Sequence, residues 1–105
     1  MPFVLRPYRR FPVNLPVTYE AGFQDGRGTV WNVSHQGWRL SGDLPLQCGD
    51  VCSLNVILPT NKRVSVAAGI VRWVRGDEFG LETLVMDGKA AVRLGKYIQE
   101  RMKEL

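Results

Sequence analysis

Arg63-Val64-Ser65-Val66-Ala67-Ala68-Gly69-Ile70-Val71-Arg72-Trp73-Val74-Arg75, then Gly76-Asp77, then Glu78-Phe79-Gly80-Leu81-Glu82-Thr83-Leu84-Val85, decides the fold class. The two runs are rich in β-branched and aromatic residues, and Gly76-Asp77 between them is turn chemistry. In the second run Leu81, Thr83 and Val85 alternate with Gly80, Glu82 and Leu84, the period of a half-buried strand. The first run is long for one strand, and Gly69 inside it marks a bulge or a sharp bend. Upstream, Asp50–Leu58 sets Val51, Ser53, Asn55 and Ile57 against Cys52, Leu54, Val56 and Leu58, and Pro59-Thr60-Asn61 then turns the chain. Further back, Gly37–Leu40 and Gly28–Val33 read as strands, and Gly22–Gly28 as a turn region. Val13–Tyr19 places Val13, Leu15, Val17 and Tyr19 on one face, with Pro16 pointing to an edge or bulge.

After Met86 the period changes. Asp87 can cap a helix, and Ala91, Leu94, Ile98, Met102 and Leu105 recur at helical spacing as an apolar stripe. Lys89, Arg93, Lys96, Arg101 and Lys103 fall mainly off that stripe and read as a solvated face. Short strands between Gly and Pro turns followed by one helix predict a small antiparallel barrel or sandwich, with the helix closing or flanking one opening. Residues 1–12 read as an arm, since Pro2, Pro7 and Pro12 discourage helix. The barrel is expected over 13–86 and the helix over 87–105, all as one domain.

The chain has 105 residues, 45% hydrophobic and 23% charged, enough for one globular core without metal or disulfide staples. Its net charge of +4 suits a modest anionic ligand but does not favour a nucleic-acid polymer. The apolar runs are too short to span a membrane and no signal peptide follows the early arginines, so a cytoplasmic location is expected. Cys48 and Cys52 make a poor zinc site with one distant His. Four apart on a strand, they are separated by roughly 13 Å, too far for a disulfide, and read as reduced structural thiols. His35 has no evident Ser or Cys partner and no carboxylate cluster is apparent, so neither an enzyme nor a metal site is expected.

Two polar motifs remain. Leu5-Arg6-Pro7-Tyr8-Arg9-Arg10 contains Arg-x-x-x-Arg, and Asn32-Val33-Ser34-His35-Gln36-Gly37 reads Asn-x-Ser-x-x-Gly. Arg6 and Arg10 offer planar forks of donors that grip phosphate or a guanine edge. Asn32 and Ser34 project to one side if extended, each offering a donor and an acceptor, and Gly37 permits a positive φ or close approach. Alone, the first reads equally as a solvated basic tail and the second as a capped hairpin turn. Asn32-Val33-Ser34 is also a glycosylation sequon, of little weight without a secretory signal.

Together, in this order and about twenty residues apart, the motifs resemble those of the PilZ domain family, bacterial receptors for cyclic di-GMP. Arg6, Arg10, Asn32, Ser34 and Gly37 match the family pattern position by position. The similarity extends through Arg10–Val17, Gly69–Val74 and Phe79–Glu82, nearly the whole chain. The resemblance implies a six-stranded antiparallel β-barrel with a C-terminal helix. It implies that Arg6 and Arg10 bind phosphate oxygens and a guanine edge, that Asn32 and Ser34 contact a guanine, and that Gly37 leaves it room. Leu5, just before the first motif, has no charge to pair with ligand and leans towards two intercalated ligand molecules. Arg9 and Trp73 are secondary ligand candidates, Trp73 as an aromatic surface beside a base, while Trp31 and Trp38 can face either core or solvent. Asn32 replaces the commoner Asp, which removes a carboxylate acceptor and lowers the expected affinity.

The expected function is therefore a non-catalytic cyclic di-GMP receptor with no other cofactor and no membrane insertion. Its arm orders on ligand binding and an unidentified downstream protein reads the change. The alternative is a protein-interaction module of the same fold that does not bind nucleotide.

Overall fold

A computed structural model of the chain describes residues 11–34 and 37–103. Six antiparallel strands are followed by one helix: β1 Phe11–Ala21, β2 Gln24–Val33, β3 Gly37–Gly42, β4 Val51–Ile57, β5 Arg63–Arg75, β6 Glu78–Val85 and α1 Gly88–Lys103. They close in the order β1-β2-β3-β6-β5-β4, with β4 returning to β1 through Val17↔Val56 to Glu20↔Ser53. Pairing of β4 with β1 closes the sheet and decides for the barrel over the sandwich. The curvature comes from register shifts between Ala68 and Gly69 and between Val71 and Trp73 against β6, and between Cys52 and Leu54 against β5. Gly69 therefore sits at a bulge, as its place in a long strand suggested. Pro12 and Pro16 lie in the part of β1 outside the β1–β4 ladder, where a missing N–H is tolerated.

The boundaries at the start of β1 and β2 differ most from the sequence reading, and β3 runs two residues past the expected Leu40 to Gly42. The strand β1 begins at Phe11, inside the stretch read as arm, because Phe11 and Pro12 already pair with Val33 and Asn32. The expected turn over Gly22–Gly28 is only two residues long. Ala21 pairs with Gln24 around Gly22 at φ +64°, and Phe23 is fully exposed at the tip. Gly26 and Gly28 belong to β2 and are small because of what packs on them. Gly26 and Gly42 both seat the side chain of Tyr19, and Gly28 lies against the backbone of β3. The Tyr19 hydroxyl accepts from Leu44 N–H and donates to Leu44 O, both at 2.9 Å, while its ring meets Phe79 edge-on at 5.3 Å.

The core is lined by the alternating positions read from sequence: Leu15, Val17 and Tyr19 from β1, and Cys52, Leu54 and Val56 from β4, are all buried. The strands β1, β3 and β5 start at the same end of the barrel where β2, β4 and β6 stop. The helix covers this end. Asp87 Oδ1 accepts from Ala90 N–H at 2.8 Å as its cap, and Ala90, Leu94 and Ile98 enter the core. Ala90 rather than Ala91 is the first apolar contact, since 90, 94 and 98 keep one face while Ala91 is exposed. Arg93 Nη1 donates to Arg63 O at 2.6 Å and Arg101 Nη2 to Pro12 O at 3.4 Å, so the helix crosses from the start of β5 to the start of β1.

Both cysteines are free, Cys48 exposed and Cys52 in the core. Burial pushes the Cys52 thiol up to about 11, with Asp50 nearby adding to the rise. A native thiol titration near pH 8 is expected to modify Cys48 alone, with both reacting in denaturant. The folded chain holds the Cys52 proton where the unfolded chain releases it. Its stabilisation is therefore full below the ordinary thiol range and declines as pH rises towards 11. Thermal melts across that range are expected to fall less steeply for Cys52→Ala than for the parent.

Candidate functional site

The link from β2 to β3 is clasped by one side chain. Ser34 N–H donates to Gly37 O at 3.0 Å, Gly37 N–H donates to Ser34 Oγ at 3.1 Å, and Ser34 Oγ lies 3.4 Å from Gly37 O. Ser34 is 3% exposed, and its hydroxyl spans the connector. Gly37 does not take a positive φ. A Cβ there would sit 3.2 Å from Leu81 O, so the residue answers to the nearness of β6.

Asn32 is brought out by a bulge. Val30 pairs with Leu40 but Asn32 pairs with Arg39, leaving Trp31 as the extra residue. Both Trp31 and Asn32 therefore fall between the buried Val30 and Val33. From Asn32 a row of paired positions continues across three more strands: Arg39 on β3, Gly80 on β6 and Trp73 on β5. At strand spacing the row is about 14 Å long. The Trp73 indole lies down over Gly80, where an added Cβ would meet its Nε1 at 1.9 Å. Arg39 is held by Glu78, with Nη2 and Nε at 2.7 and 2.8 Å from the same Oε1. Arg39, Trp73, Arg75 and Glu78 line a depression of about 390 Å³.

These groups present a flat indole, planar guanidinium cations and an amide on one side of the barrel. Such a surface suits a planar heterocycle joined to an anion. The Arg39–Glu78 pair is partly solvated and worth at most about 1 kcal/mol, so an incoming phosphate can compete for Arg39. Among the described residues no group of three or more His, Cys, Asp or Glu could hold a metal ion, and no helix is long and apolar enough to cross a membrane.

Leu5, Arg6, Arg9 and Arg10, as well as His35, lie outside the described residues. Asn32, Ser34 and Gly37 are together at the β2–β3 connector, and Trp73 stands at the far end of the row from Asn32. Phe11, the residue bonded to Arg10, pairs with Val33, and Pro12 pairs with Asn32, so the chain enters the barrel beside the second motif. Trp38 is a core residue whose Nε1 donates to Thr83 Oγ1 at 2.9 Å. Trp31 is partly exposed and donates to Ser41 Oγ at 2.9 Å. Arg39, Arg75 and Glu78 were not singled out by sequence. Arg39 was within reach, because it lies two residues after Gly37 on the same strand face. The Trp73–Gly80 contact had no local signal, since it depends on the shifted β5–β6 register.

The sequence pattern of the PilZ domain matches residues 5–100. No curated protein matches the chain. Among solved structures, the Bacillus subtilis inhibitor of motility MotI/DgrA superposes with a TM-score of 0.80 at 19% identity, over 98% of this chain and 54% of that one. The PilZ domain of CeSA from a cellulose-synthesizing bacterium superposes with a TM-score of 0.69 at 13% identity, over 87% of this chain and 98% of that one. The chain thus spans about half the length of the motility inhibitor, and at these identities the likeness is one of fold.

Proposed function

The chain belongs to the PilZ domain family, and from that premise we propose that it is a non-catalytic receptor for cyclic di-GMP that orders its N-terminal arm on binding and signals to a partner protein. The observation that carries the reading is the register of the first hairpin. Residues about twenty apart in sequence meet there, because Phe11 and Pro12 pair with Val33 and Asn32. Phe11, the residue bonded to Arg10 in sequence, thus lies beside the strand end that carries Asn32 and leads into Ser34 and Gly37.

In this reading Arg6 and Arg10 take the phosphates and a guanine edge, and Asn32 bonds a guanine. Ser34 contacts the same guanine, and Gly37 leaves it room. The Trp73 indole offers a stacking plane, and Arg39 stands between the two. Without ligand, Arg6, Arg9 and Arg10 repel one another, and fixing the arm costs conformational entropy. The doubly charged ligand offsets the repulsion and holds the arm against the barrel, changing the surface that a partner meets. Leu5 favours two intercalated ligand molecules, and Asn32 in place of Asp weakens the guanine contact.

Titration calorimetry with cyclic di-GMP tests this directly. Heat of binding at micromolar concentrations is expected, with the fitted stoichiometry reporting on Leu5. Arg6→Ala and Arg10→Ala should each weaken binding about 10- to 100-fold, the value of one charge-assisted contact. Absence of binding would reject the reading in favour of a nucleotide-independent interaction module. A loss confined to Arg9→Ala would shift the arm by one position.

A further inference from the structure

We propose that the outer face of α1 is a docking surface for an acidic α-helix of a partner protein. All four lysines of the chain lie on or beside this helix: Lys89, Lys96 and Lys103 on it, and Lys62 next to its first turn. The helix buries Ala90, Leu94 and Ile98 and turns the opposite face to solvent. There the three helical lysines recur every seven residues, so they form a single stripe about 21 Å long with about 10 Å between charges. Arg93 flanks the stripe, and Glu100 is the one acid within it. Among the described residues, the two ion pairs are Arg39–Glu78 and Arg72–Glu82, both away from this face. Between Lys89 and Lys96 stands Val92, 66% exposed, at a shallow depression of about 690 Å³ that Lys62 helps to line.

Helix stability accounts for Lys103, which lies in the last turn where a cation is favourable, but not for the rest of the stripe. Beyond the Asp87 cap no acidic residue occupies the first turn, and Lys89 sits there against the positive end of the helix dipole, where a cation is unfavourable. A local rule broken on the surface without a gain in packing points to function. The geometry also selects the partner. Carboxylates seven residues apart on a second helix have the same 10 Å repeat as the lysines, and a small apolar side chain between them meets Val92. Duplex nucleic acid carries a charge every 1.7 Å or so, and the exposed stripe has no aromatic side chain on which a base could stack. A membrane-surface helix would have to insert its apolar stripe, which here is spent on the barrel core.

A fluorescent helical peptide with glutamates at seven-residue spacing and one leucine between them serves as the probe. Its control is a peptide of the same composition with the glutamates out of register. Binding is read by anisotropy without cyclic di-GMP, so the outcome is separate from that of the receptor reading. The in-register peptide is expected to bind at least fivefold tighter than the control. Lys96→Glu or Lys89→Glu should weaken it at least fivefold, and Arg27→Glu, an equal change of net charge on exposed β2, less than twofold. Equal binding of the two peptides, or an equal loss from Arg27→Glu, would overturn the proposal. So would tighter binding to phosphatidylserine-containing vesicles or to a single-stranded oligonucleotide.

Discussion

Gly28→Ala is expected to destabilise the barrel by about 3 kcal/mol or more, lowering the melting temperature by about 15 °C. A Cβ at this position would lie 1.8 Å from Ser41 O and 2.8 Å from Gly42 Cα, both backbone atoms of β3. A clash with a flexible side chain can be relieved by rotation, but here the strands themselves must separate. Separation is resisted on both sides, because Gly28 pairs with Val17 of β1 as well as with Gly42, and β3 is held in turn by β6. Gly88→Ala is the matched control. Its Cβ meets nothing within 4 Å and its φ is not positive, so alanine at the start of the helix should be neutral or stabilising by up to about 1 kcal/mol. Urea unfolding of the two variants checks the contrast, and a loss below 1 kcal/mol for Gly28→Ala would mean that the β2–β3 approach is looser than described.

Gly80→Ala is expected to displace Trp73 and, with it, ligand affinity. The added Cβ would meet the indole at Nε1, Cε2 and Cδ1, all closer than 2.7 Å, so the ring must swing off the sheet. Losing part of its burial costs about 1–2 kcal/mol. In a Trp31→Phe background, tryptophan emission should shift to the red, because Trp38 stays in the core and Trp73 becomes solvated. Cyclic di-GMP affinity should fall about tenfold, the scale of one base–aromatic stack. Unchanged emission together with unchanged affinity would remove Trp73 from the site. Red-shifted emission with full affinity would leave its contact with Gly80 structural only.

Legibility in the sequence followed range. The alternation of Leu15, Val17 and Tyr19, or of Cys52, Leu54 and Val56, involves residues two apart on one strand, and the buried faces are the ones that alternation marks. Asp87 was legible as a cap because its partner, Ala90 N–H, is three residues away. Gly26 misled, since a glycine needed for a turn and a glycine needed beneath a neighbour look alike until the neighbour is known. Ser34 was ambiguous for the same reason. Its hydroxyl suits a ligand or a connector equally, and only the position of Gly37 on β3 reveals the clasp.

By itself the sequence determined strand and helix periods, the helix start and the presence of both polar motifs, because each is written in residues close together along the chain. Tertiary structure decided that the sheet closes, that Trp73 lies on Gly80, that Arg39 joins Asn32 in one row, and that the start of β1 meets the second motif. Those facts depend on register between strands distant in sequence. A shift of one residue turns a side chain to the other face, and the bulges at Trp31 and within β5 set that register strand by strand.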